Sequence, residues 1–132
     1  MPAHEVEEGI RHMLTTGPNL TVPDDRITFG YRLQSDALPV IVFNVTGIET
    51  VGIGSSPDRV ASVEFRAVAL EVGEALDIAD EIRNKVAPGT HQGVNFSAII
   101  WENRVAEERA AELGDEQGPA VAVATAQFYY TE

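Results

Sequence analysis

Hydrophobic residues recur along the chain at two spacings, which separate predicted helices from predicted strands. Over residues 4–16 the apolar positions fall at i, i+4, i+7 and i+8, the spacing of one helix face: Val6, Ile10, Met13 and Leu14. Helical spacing returns over residues 72–86, with the stripe Val72, Ala75, Leu76, Ala79, Ile82 and Val86. Gly17-Pro18 and Pro88-Gly89 follow these stretches as stop signals. The pattern predicts two amphipathic helices.

Five other segments have the features of β-strands. Residues 27–33 and 58–70 alternate between apolar and polar side chains, which is typical of strands with one solvated face. Residues 38–46 are almost continuously apolar, which predicts a strand in the middle of a sheet with Pro39 at its entry. The remaining strands are predicted at residues 94–103 and 120–131.

Two longer connections separate these elements. Residues 47–57 contain three glycines and a proline, and they predict an extended hairpin loop. Residues 104–119 are polar and acidic near their end, and they predict an exposed loop that could hold a short helix over residues 105–113.

The predicted order of elements is α-β-β-β-α-β-β, without an internal repeat or a dividing linker. Strand connections of hairpin length favour an antiparallel or mixed sheet of about five strands, with both helices packed on one face. The sequence therefore predicts a single α+β domain over residues 1–132.

Composition excludes several classes of protein. The 132 residues are 44% hydrophobic and 23% charged, which fits a globular chain, and the apolar runs are too short to cross a membrane. The absence of cysteine excludes disulfides and thiol chemistry. The first residues lack the basic-then-apolar order of a secretory signal, which indicates a cytoplasmic protein. A net charge of -12 disfavours nonspecific binding to nucleic acid.

Sequence motifs for catalysis, cofactors or metals are not found. The glycines of residues 52–56 fall in a predicted hairpin, whereas a phosphate-binding loop precedes a helix. His4 and His12 are eight residues apart, too far along a helix to chelate one ion directly. His91 has no partner at a ligand spacing. We therefore expect solvated or partly packed histidines, with no cofactor and no metal.

An enzyme is not indicated either. Glu64 falls on the solvated side of the predicted strand at 58–70, so a cross-strand ion pair is its expected role. If the chain were an enzyme, its best candidate residues would be Glu64, His91 and Tyr129, but no spacing brings them together. The aromatic run at residues 128–130 is more typical of a core or an interface.

What the sequence does offer is apolar residues in exposed-looking positions, together with charged residues in the second long connection. Such features are typical of a subunit that buries part of its surface by assembly. The candidate protein-interface residues are Ile48, Val51, Ile53, Arg104, Glu107, Glu108, Arg109 and Tyr129.

Several of these segments together resemble the small tail-completion or tail-terminator proteins of long-tailed phages and related gene-transfer particles. The resemblance covers nearly the whole chain and includes the last two predicted strands. The matching features before them are the first helix at residues 4–16, the strand entry Asp25-Arg26-Ile27, the strand Leu38-Pro39-Val40-Ile41-Val42-Phe43, and residues 60–70 leading into the helix at 74–86.

The resemblance implies a structural virion protein. Such proteins form rings, commonly hexamers, that cap the tail tube, stop its polymerisation and offer a surface to a head-side connector or stopper protein. It implies assembly in the bacterial cytoplasm, a place at the head–tail interface and no catalytic residue. DNA would pass through the ring without specific binding, and the acidic composition fits a lumen that repels phosphate.

Two alternative functions stay open at this point. A head–tail stopper or adaptor protein has a similar size and also forms rings. From a different class, a small metabolite-binding module would hold its ligand in a pocket between the second helix and the sheet.

Overall fold

The computed structural model describes residues 3–16, 20, 22, 26–30, 39–51, 58–102, 105–108 and 120–131. Within these residues the elements are α1 (Ala3–Thr15), β1 (Ile27–Phe29), β2 (Val40–Val51), β3 (Asp58–Ala69), α2 (Val72–Lys85), β4 (Gly89–His91), β5 (Val94–Trp101), β6 (Val105–Glu108) and β7 (Ala120–Thr131). All of these strands belong to one sheet. The predicted α+β class is confirmed, with two short strands, β4 and β6, beyond the predicted five.

The sheet is mixed. Its strand order is β1-β2-β3-β7-β5-β4, and β6 also pairs with β7. β1 is parallel to β2, whereas the other pairs are antiparallel. No helix in the described part of the chain is long and apolar enough to span a membrane.

β5 and β6 pair with successive segments of β7. β5 pairs with its C-terminal half and β6 with its N-terminal end, and between them Glu102 N–H donates to Thr125 O at 2.8 Å. Residues 105–108 are therefore a strand, which corrects the short helix considered at 105–113. The backbone groups of β7 beyond the end of β5 need partners, and β6 supplies them. The rest of the predicted loop, residues 104 and 109–119, lies outside the described residues.

A bulge lengthens β2 beyond its predicted end. The register of β2 against β3 shifts at Thr46, and pairing then continues to the end of both strands. Residues 47–51 are thus part of β2, which corrects the start of the predicted loop at 47–57; residues 52–57 are outside the described part. Gly47 resembles a loop residue in sequence, but a glycine inside a strand also marks a bulge. After the bulge, Ile48 packs against the core.

Both helices pack on one face of the sheet, called here the inner face. Its rings contact one another across neighbouring strands, with centroids 5.7–6.1 Å apart along Phe43, Phe65, Phe128 and Phe96. β3 and β7 also contribute small buried side chains to this face: Ala61, Ala67, Ala69, Ala120, Ala122, Ala124 and Ala126. α2 buries Ala75, Ile78, Ala79 and Ile82 against them.

The opposite side of the sheet is called here the outer face, and neither described helix packs on it. At one end it carries a separate cluster of buried side chains: Val40, Val42, Val68 and Val121. Farther along, polar residues such as Glu64 and Thr125 occupy the outward positions of β3 and β7. The outer face is therefore neither uniformly polar nor uniformly apolar.

Candidate functional site

The β4–β5 hairpin and α1 are joined by a hydrogen bond between two histidine side chains. The hairpin turns through Gln92 and Gly93, whose φ angles are 53° and 82°. Positive φ at both central residues is the geometry of a two-residue type I′ turn, which glycine adopts without a steric penalty. Because the turn follows β4 directly, it fixes His91 at the last position of that strand.

α1 approaches this hairpin closely at a glycine. A Cβ atom on Gly9 would lie 3.0 Å from the Phe96 ring and 3.1 Å from the backbone oxygen of His91. Those distances are too short for an unstrained contact, so the lack of a side chain at position 9 sets the helix against the hairpin. One turn later along the helix, His12 reaches the same strand.

His12 and His91 form a hydrogen-bonded imidazole pair. Their Nδ1 atoms are 2.9 Å apart, and the ring centroids are 5.2 Å apart with an interplanar angle of 56°. The two centroids are as far apart as expected for imidazole rings whose Nδ1 atoms point at each other across this distance. One Nδ1–H therefore donates directly towards the lone pair of the other Nδ1.

The surroundings favour an uncharged His91. Burial, and secondarily the nearby His12 imidazole, lower the pKa of His91 below its usual 6.5. Two shallow grooves flank the pair. One, of about 340 Å³, is lined by Glu8, Arg11, His12, Thr15 and Gln92. The other, of about 420 Å³, is lined by Met13, Thr16, Asn84, Lys85, Ala87, Pro88 and His91.

Sequence reasoning missed this pair. The two histidines are 79 residues apart, and neither has a sequence neighbour that signals a polar contact. Among the residues that the structure describes, no three or more His, Asp or Glu side chains are grouped so that they could hold a metal ion.

A second candidate surface lies on the outer face and is apolar. Tyr129 of β7 pairs with Val60 of β3 on one side and with Ala98 of β5 on the other. Ile100, two residues farther along β5, is 53% exposed. We call Val60, Ala98, Ile100 and Tyr129 the outer-face patch. Ser62 and Gln127 border this partly exposed apolar surface, and an apolar patch with a polar rim is typical of interaction sites.

The predicted interface residues separate into different places. Tyr129 belongs to the outer-face patch, whereas Ile48 packs against the core on the inner face. For Val51, Glu107 and Glu108 the structure describes the backbone: Val51 ends β2, and the two glutamates pair in register with Val121 and Ala120 of β7. The other three, Ile53, Arg104 and Arg109, lie outside the described residues.

The three residues considered as an enzyme's best candidates are not brought together. Glu64 and Tyr129 lie on the outer face, whereas His91 lies on the helix side of the sheet. The Glu64 carboxylate accepts a hydrogen bond from Arg66 Nε at 2.7 Å. This ion pair joins two residues of β3, which corrects the expected cross-strand pair, because side chains two residues apart in a strand share a face.

The binding-module alternative places a pocket between the second helix and the sheet. The two described grooves lie elsewhere, beside α1 and the C-terminal end of α2, while the inward side chains of α2 pack on the sheet.

Comparison with protein-family models and with curated proteins gives no match for this sequence.

Proposed function

We propose that the protein is a structural subunit that assembles into a ring and caps the end of a phage-type tail tube. The observation that carries this proposal is the outer-face patch, an apolar surface built on the central strands of the sheet. The sequence resemblance to tail-terminator proteins supplies the kind of assembly.

The patch is suited to association because its side chains have apolar surface left to bury. Val60, Ala98 and Tyr129 are half-buried, and Ile100 is more exposed than any of them. Full burial of an isoleucine side chain contributes about 1.5–3 kcal/mol, so covering the exposed half of Ile100 is favourable. A tyrosine beside it adds a rigid, amphipathic ring of the kind enriched in protein interfaces.

The position of the patch favours contact between folded subunits. Its residues Val60 and Tyr129 lie on β3 and β7, which are paired on both sides along most of their length, and its β5 residues pair with β7. Since these strands cannot rearrange without breaking the sheet, we expect association to be a rigid docking of one surface on another. A head-to-tail contact between rigid subunits gives a ring when its rotation closes, which is the assembly proposed here.

The charge of the chain supports a role around DNA. A ring of subunits that each carry a net charge of -12 repels phosphate along a central channel. Transit of DNA without specific binding requires such a surface, because basic side chains would retain the backbone.

The first experiment measures the mass of the assembled protein. Mass photometry of the wild type should show a closed ring, and Ile100→Asp should shift the population to monomers with unchanged far-UV circular dichroism. Leu70→Asp is the matched control, because Leu70 is 71% exposed but lies outside the patch. A monomeric wild type, or an Ile100→Asp variant that assembles as well as the Leu70→Asp control, would contradict the proposal.

The second experiment identifies the partner. Negative-stain images of the protein mixed with purified tail tubes should show caps at tube ends. Binding to the portal side instead would favour the head–tail stopper alternative. A monomer that binds neither tail tubes nor the portal side, and whose melting temperature rises when a metabolite is added, would favour the binding-module alternative.

A further inference from the structure

We propose that the His12–His91 pair is a proton-controlled latch, which fastens α1 to the β4–β5 hairpin and opens when both imidazoles are protonated. The proposal concerns the folded subunit itself and does not depend on the tail-capping function.

The hydrogen bond between the two histidines depends on their protonation because of its geometry. The two Nδ1 atoms point at each other at 2.9 Å, so the contact needs one donor and one acceptor. A neutral imidazole provides either role according to its tautomer, and a protonated imidazole provides two donors. The bond therefore survives one added proton, on the donating ring. With both rings protonated, two N–H groups and two positive charges face each other, and the contact becomes repulsive.

The pair lies at the end of α1 and at the end of β4. His12 lies in the last turn of α1, and His91 ends β4 just before the tight turn. On the same side of the helix, Gly9 touches the Phe96 ring and the His91 backbone. Loss of the hydrogen bond therefore loosens α1 where it is closest to the hairpin, while the apolar side chains of the helix still hold it to the core.

Charged side chains from both helices line the grooves beside the pair. Glu8 and Arg11 of α1 line the groove beside His12, and Lys85 of α2 lines the groove beside His91. The turn contributes the neutral Gln92, and β5 contributes the Phe96 ring, whose centroid is 6.3 Å from that of His91. The charged groups beside the pair are therefore of both signs, and burial is the main cause of the lowered pKa of His91.

The direction of the pH effect follows from His91. Its pKa is lowered in the folded protein, chiefly by burial, from the ordinary value of 6.5. The unfolded or opened state then binds a proton that the closed state resists. The stabilisation is fully present above pH about 6.5 and is lost as the pH falls through the lower pKa of folded His91. A difference of one pKa unit corresponds to a tenfold change in the opening equilibrium.

The experiment measures amide hydrogen exchange of α1, corrected for intrinsic rates, at pH 7.5, 6.5 and 5.5. In the wild type the opening equilibrium constant of α1 should rise several-fold between pH 7.5 and 5.5. In His91→Gln, whose amide hydrogen-bonds but does not titrate, the constant should change little with pH. His4→Gln is the matched control, since it removes another histidine from α1, and it should behave like the wild type.

If His91→Gln does not fold, His12→Gln makes the same test from the other side. Nitrogen-15 chemical shifts of the imidazoles add a direct readout: at pH 7.5, one Nδ1 should carry a proton and the other should be an acceptor. The latch is refuted if both rings carry their proton on Nε2 at pH 7.5. It is equally refuted if α1 opens with the same pH dependence in the wild type and in the glutamine variant.

Discussion

The two helices lie on the same face of the sheet but are held to it in different ways. α2 presents Ala75 and Ala79 to the alanine-rich surface of β3 and β7, so small side chains on both sides allow a close approach over a broad area. α1 buries larger residues, including Met13 and Leu14, and leaves no room for a side chain at Gly9. Small side chains thus contribute to the close approach of α2, whereas α1 combines large buried side chains with a glycine at its contact with the hairpin.

The polar contacts of the two helices differ as well. α1 is joined to β4 by the His12–His91 hydrogen bond, whose strength depends on protonation. In α2 the Arg83 guanidinium lies 5.6 Å from the Trp101 ring centroid, a cation–π contact. Arginine stays charged at all pH values that a protein normally meets, so this contact is insensitive to pH. We therefore expect attachment of α1 to respond to pH and that of α2 to be constant.

The largest expected effect tests whether α2 depends on its apolar face. Ile82 is fully buried in the core, and Ile82→Ala should lower the free energy of unfolding by about 2–4 kcal/mol, because it removes apolar contacts and leaves a cavity. Urea denaturation measures this. Asp77→Ala, on the exposed side of the same helix, should change stability by less than about 0.5 kcal/mol. Equal losses in the two variants would show that the described packing does not hold α2.

The next prediction compares one glycine from each helix. Gly9→Ala should lower stability by about 1 kcal/mol, because strain from overpacking the buried Phe96 ring exceeds the gain in helix propensity. Gly73→Ala, where nothing lies within 4 Å of the new Cβ, should raise stability by about 0.5 kcal/mol. Chemical denaturation of both variants gives the sign directly. A stabilising Gly9→Ala would mean that α1 does not approach the hairpin as closely as described.

The smallest expected effect concerns the cation–π contact. Arg83→Met keeps much of the aliphatic stem but removes the charge, and it should cost about 0.5 kcal/mol because Arg83 is exposed. Arg83→Lys should recover part of that loss. Thermal melts at pH 7.5 and 5.5 should give the same difference at both values. A loss of stability that is larger at pH 5.5 than at pH 7.5 would contradict the expectation that the attachment of α2 does not depend on pH.

The helices and long strands could be predicted from local pattern because each covers several periods of hydrophobic residues. Residues 72–86 illustrate this, since the predicted stripe includes the buried Ala75, Ala79 and Ile82. β4 and β6 have three and four residues, too few for a period to be recognised, and β4 begins within the Pro88-Gly89 stop signal. The glycines and the proline of residues 47–57 predict a loop, but the bulge at Thr46 lets β2 continue, and Ile48 packs against the core.

The two candidate sites also differ in how far they could be predicted from local sequence. Tyr129 could be singled out because side chains alternate along a strand, so it points to the opposite face from Phe128 and Tyr130. Both of those neighbours are buried in the core. Its neighbours in the outer-face patch could not, because they depend on the pairing of β7 with both β3 and β5. The His12–His91 pair depends on α1 crossing a hairpin that lies 79 residues away in sequence.

The class of the fold, the approximate positions of the helices and long strands, and the acidic charge could all be read from the amino-acid sequence alone. These properties follow from local periodicity and from composition, which do not depend on how the chain is arranged in space. Which strands pair, where the bulge turns a side chain inward and which histidines meet are set by the folded arrangement of the chain. Those contacts join residues far apart in the chain, and a local pattern carries no information about partners at that distance.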